Sequence, residues 1–117
     1  MNTNQIAHIA SLVGEPARTA MLLALMDGRA LTANELAAAG NIGAATASRH
    51  LALLVDAGLL AMQRQGRHRY HRLASPEVAR VLEGITQLAA QQTPLRRTVT
   101  GPRDAALRMA RTCYDHI

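Results

Sequence analysis

Apolar residues return at helical spacing from the start of the chain. Ile6, Ile9, Leu12 and Val13 fall on one side of a helix over residues 2–13, and Gly14 stops it. Glu15-Pro16 opens a second helix, because proline suits the first helical turn and an acid suits the positive end. Its apolar side is Ala20, Met21, Leu22, Leu25 and Met26, and Asp27-Gly28 ends it. Thr32-Ala33-Asn34-Glu35 has the spacing of a capping box, in which Thr32 caps and Glu35 reaches back. This third helix is short, to about Ala39, and Gly40-Asn41 is a tight break that accepts a left-handed residue. A fourth helix runs from near Gly43 to about Asp56, with Leu51, Leu54 and Val55 inward and Gly58 closing it.

The period then changes from helical to two. Residues 59–64 and 68–73 alternate around a Gln65-Gly66-Arg67 turn, which predicts a two-stranded hairpin. Ser75 and Pro76 start another helix that carries Val78, Val81, Leu82, Ile85 and Leu88 inward. Residues 91–102 have a linker's composition, and residues 103–117 form a final helix, for dimerisation or as the start of a second domain. Two short helices about a tight turn, followed by a hairpin, predict a mainly α winged helix-turn-helix over residues 1–90, dimerising through its terminal helices.

Composition and charge sharpen this. With 117 residues and 49% hydrophobic content the chain is long enough for one domain with a core, and it has no apolar run of membrane-spanning length. The polar start, Met1 to Ile9, lacks the features of a signal peptide. The single cysteine, Cys113, makes no intramolecular disulfide and suits a reducing cytoplasm. Thirteen basic residues, all arginine, oppose eight acidic ones for a net charge of +5, which favours a polyanionic partner. Tyr70 and Tyr114 are the only aromatic residues of the Phe, Trp and Tyr set, so Leu, Ala, Met and Ile must fill the core; oligomerisation would offset the modest burial.

Two segments carry the chemistry of duplex DNA recognition. Thr46, Ser48, Arg49 and His50 place short polar and cationic side chains on the N-terminal half of the fourth helix, where a major-groove helix needs them. Arg64, Arg67, His68, Arg69 and Arg72 fall within nine residues of hairpin, with Arg67 at the tip for a minor groove or a phosphate. Arg69 and Arg72 point to opposite faces, so they do not both touch DNA.

The segments Glu15-Pro16-Ala17-Arg18, Ala45 to Leu54, Ala57-Gly58-Leu59-Leu60 and Gly66 to Leu73 together resemble the ArsR/SmtB family, over about residues 8–90. The resemblance implies a homodimer with two recognition helices on a palindromic operator, a repressor's role, and release of DNA by an effector, often a metal. The metal motifs of the family do not carry over. Glu35-Leu36-Ala37-Ala38-Ala39 holds no Cys-x-Cys, and residues 75–90 hold no histidine. Gly43 and Ala44 replace the usual polar residues at the start of the fourth helix, which weakens its cap. The ending Arg111 to Ile117 resembles the junction before a second domain in longer members of the family.

Ile6, Ile9, Leu12 and Val13, with Leu107, Ala110 and Tyr114 on the last helix, are the expected dimer interface, setting recognition helices about 34 Å apart. Cys113 and His116 share a helix face but are too few for a closed zinc site, so no metal and no cofactor are expected. A winged helix serving only protein interaction or dimerisation would show an apolar or acidic face on the fourth helix, and the arginine-rich hairpin argues against it. No nucleophile–base set or phosphate loop points to an enzyme.

Overall fold

The computed structural model describes residues 2–92. The elements, in order, are α1 (Thr3–Gly14), α2 (Pro16–Ala24), β1 (Leu31–Thr32), α3 (Ala33–Gly40), α4 (Ala44–Asp56), β2 (Leu60–Gln65), β3 (His68–Leu73) and α5 (Pro76–Gln92). One compact unit ends at Ala79 and a second begins at Arg80, so the boundary falls inside α5. The expected last helix, with Leu107, Ala110, Cys113, Tyr114 and His116, lies outside the described residues.

Three helix starts have a local cause. Asn2 and Gln5 form a reciprocal capping box on α1, with the Asn2 side chain accepting from the Gln5 amide at 2.8 Å. Glu15 caps α2 by accepting from the Arg18 amide at 2.8 Å, with Pro16 in the first turn. This holds its carboxyl below the ordinary value of 4.5, and the backbone hydrogen bond from Arg18 is the leading cause. Thr32 and Glu35 cap α3 reciprocally, as the spacing predicts. Gly43 begins α4 with no side-chain cap.

Four details correct or sharpen the sequence reading. First, α2 ends at Ala24 rather than near Asp27. Second, within the expected Gly40-Asn41 break between α3 and α4 the left-handed residue is Asn41 (φ 55°). Gly40 is small for another reason: a Cβ there would stand 3.2 Å from the Ala17 carbonyl and 3.3 Å from Met21 Cγ, where α3 packs on α2. Third, the hairpin gains a strand. β1 pairs antiparallel with β3, Leu31 against His71 and Thr32 against Tyr70, giving a sheet of order β1-β3-β2. Fourth, of the residues expected to face inward on α5, Leu82 is buried, whereas Val81, Ile85 and Leu88 are exposed.

The core of the first unit gathers Met21, Leu22 and Leu25 of α2 and its end, Leu36 of α3, and Leu51 and Leu54 of α4. Leu12 and Val13 join it at 5% and 8% exposure. They are therefore packed within their own chain rather than offered to a partner, because the C-terminal end of α1 turns directly into α2. Ile6 and Ile9, on the outer turns of α1, remain exposed.

Candidate nucleic-acid interface

Helix α4 divides cleanly by depth. Ala47, Leu51 and Leu54 are buried, and Ser48, Arg49, Ala52 and Leu53 are exposed. Thr46 is half-buried, and its hydroxyl accepts from Arg49 Nη2 at 3.4 Å, which steers the guanidinium toward the start of the helix. With no side chain on Gly43 to occupy them, the amides of that first turn are left for water or an anion.

His50 departs from the expected site. Its Nδ1 lies 2.8 Å from Arg18 Nη1 and its Nε2 lies 3.8 Å from Glu15 Oε1. The same arginine donates from Nε to the Leu12 carbonyl at 2.7 Å and from Nη2 to the Ser11 carbonyl at 3.4 Å. His50 thus faces the α1–α2 junction, and the outward polar face of α4 is Ser48 and Arg49.

On the hairpin, side chains directly opposite one another share a face. The pairs Leu60–Leu73, Met62–His71 and Arg64–Arg69 define one face. The pairs Ala61–Arg72, Gln63–Tyr70 and Gln65–His68 define the other. His68 stacks edge-on against Tyr70, ring centroids 6.1 Å apart, on that second face. Arg67 sits in the two-residue tip beside Gly66, whose φ of 63° suits a residue without a Cβ. The expected contact residues of the wing therefore separate: Arg64 and Arg69 on the face toward α4, Arg67 at the tip, and His68 behind.

Two features of this face carry information. Arg64 and Arg69 stand directly opposite with no acid anywhere from Ala57 to Ser75, an arrangement that costs stability in isolation. His71, beneath them, is 6% exposed and its Nδ1 has no hydrogen-bond partner. Burial pushes its pKa below 6.5, a backbone hydrogen bond with Leu31 opposes this, and the charge of Arg69 adds to it. Nothing in the hairpin's alternation singles out His71; it pairs with Leu31 of the two-residue strand β1 and lies on the side of the sheet that faces α4.

Among the described residues no three His, Cys, Asp or Glu side chains gather to hold a metal, and no helix is long and apolar enough to cross a membrane.

This arrangement has known counterparts. Residues 13–63 match the helix-turn-helix domain family, a span from the end of α1 into β2. The whole chain is 44% identical over 117 residues to the uncharacterized HTH-type transcriptional regulator YdfF of Bacillus subtilis (strain 168), covering 51% of that protein. The chain thus spans about half the length of the curated relative it matches. Among solved structures, the homodimeric winged helix-turn-helix DNA-binding domain Mb0332 of Mycobacterium bovis, a possible ArsR-family regulator, superposes with a TM-score of 0.67 at 24% identity, covering 84% of this chain and 89% of that one. The transcriptional repressor BigR of Xylella fastidiosa superposes with a TM-score of 0.65 at 21% identity, covering 73% of this chain and 86% of that one. Residues 13–63 thus match the helix-turn-helix domain family, and the described residues share the winged helix-turn-helix fold of these solved structures.

Proposed function

We propose that the chain is the DNA-binding part of a homodimeric transcriptional repressor of the ArsR kind, released from its operator by an effector. The carrying observation is that Ser48 of α4 and Arg69 of the wing line one and the same cleft, so the polar face of the helix and the cationic face of the hairpin open to one side. On this reading Ser48 and Arg49 meet base edges and phosphates in the major groove, while Arg64, Arg67 and Arg69 neutralise the flanking backbone. Thr46 holds Arg49 in place, and His50 holds α4 against the α1–α2 junction. The DNA supplies the anions that the Arg64–Arg69 pair lacks. Occlusion of the promoter then suffices for repression.

Exposed Ile6 and Ile9 on α1, and separately Val81, Ile85 and Leu88 on α5, are the described apolar surfaces available to a second copy. The homodimeric state of Mb0332, as named, supports the reading.

The test is a fluorescence-anisotropy titration on the DNA upstream of the chain's own gene, at several salt concentrations. Replacing Arg49 and Arg67 by alanine should weaken binding by about tenfold or more and flatten the salt dependence by about one unit of slope per lost phosphate contact. Unchanged affinity at matched salt would remove the proposal.

A further inference from the structure

A cleft of about 320 Å³ opens between α4 and the inner face of the hairpin, at the lower end of the size range of small-molecule sites. Its lining is apolar along Leu51, Val55 and Met62 and polar at four points: Ser48, Asp56, Arg69 and His71. Two of these polar groups have unmet capacity. His71 is buried with Nδ1 unpartnered, which costs free energy unless something fills that valence. Arg69 faces Arg64 rather than an acid, and no ion pair joins it to Asp56 among the described residues.

We propose that this cleft binds a small organic acid with an apolar body. The carboxylate sits on Arg69, whose planar fork takes it in a bidentate grip. The hydrocarbon lies over Leu51, Val55 and Met62, beside the His71 ring. Asp56 fixes the polarity: an acid group beside it would be repelled, so the charged end goes to the wing and the helix side takes a neutral or donor group. Such a ligand occupies Arg69 in the cleft that Ser48 also lines, two residues assigned above to DNA, so on that reading of function it opposes operator binding as an effector.

The test uses benzoate as the probe, with benzamide as its uncharged counterpart. In the absence of DNA, benzoate should shift the Met62 methyl and His71 ring NMR signals saturably at millimolar concentration, and benzamide should not. Arg69→Met should weaken binding by about tenfold. Ala52→Trp, which fills the cleft from an exposed position on its lining, should abolish it, with circular dichroism reporting that both variants fold. Absence of a saturable shift, equal binding of benzamide, or unchanged affinity of both variants overturns the site. A second titration adds benzoate to the protein–DNA complex: displacement supports the effector role, and binding without displacement overturns it. Failure of the chain to bind DNA before any benzoate is added reports on the function reading alone.

Discussion

Arg18 Nη1 stands 2.8 Å from His50 Nδ1, joining the start of α2 to the middle of α4 across 32 positions of sequence. Arginine only donates, so Nδ1 accepts, and the imidazole must keep that lone pair. Because Arg18 also holds the Leu12 and Ser11 carbonyls, one side chain ties three segments together. A double-mutant cycle of Arg18→Ala and His50→Ala, followed by urea denaturation, should give a coupling of about 1 kcal/mol. A coupling near zero would show that the two residues act separately.

Gly40 marks the closest approach of α3 to α2. Alanine there gains helix propensity but brings its Cβ to 3.2 Å from the Ala17 carbonyl and 3.3 Å from Met21 Cγ. Crowding of this kind costs roughly 1–3 kcal/mol and should outweigh a propensity gain of at most about 1 kcal/mol. Gly40→Ala is expected to lower stability by about 1 kcal/mol, whereas Gly43→Ala, with nothing within 4 Å of the added Cβ, should be tolerated. Equal melting temperatures for the two variants would count against the packing argument.

Gly43 offers a change whose two effects have opposite signs. Aspartate at the uncapped start of α4 supplies the missing cap and should raise stability by a few tenths of a kcal/mol. Its charge stands where phosphate is expected, so operator affinity should fall about tenfold at low salt. Thermal melts and anisotropy on the same preparation check both halves; a variant that gains stability and keeps its affinity would move the DNA away from this end of the helix.

Acid should destabilise the fold early. The pKa of His71 in the folded state lies below 6.5, chiefly through burial. The unfolded chain therefore takes up a proton that the folded one resists. Its contribution is complete above pH 6.5 and is lost as pH falls toward and through the folded value. Glu15 and Glu35, both held below 4.5 by backbone hydrogen bonds, act in the same direction at lower pH. Between pH 7 and pH 5 the melting temperature should drop by on the order of a few degrees, and His71→Leu should reduce that drop. An equal drop in the variant would place the sensitivity elsewhere.

Local rules explain which of these features the sequence displays. The Thr32–Glu35 box, the Glu15-Pro16 start and the Gly66 turn depend on residues within three positions of one another, and they are legible. Strand β1 is two residues long, too short to show a period, and its partners His71 and Tyr70 lie far along the chain. The burial of His71 and the grip of Arg18 on His50 depend on the same kind of distant packing. Periodicity on α1 and α5 revealed apolar faces but not what covers them. Hence Leu12 and Val13 belong to the core while Ile6, Ile9, Val81, Ile85 and Leu88 stay exposed.

The pairing of Arg64 with Arg69 has a consequence for anyone selecting variants of this chain. Replacing Arg64 by glutamate would exchange cross-strand repulsion for attraction, so a screen for heat resistance alone would enrich it. The survivors would carry a firmer hairpin with less positive charge, and thermal tolerance and operator occupancy would drift apart under selection.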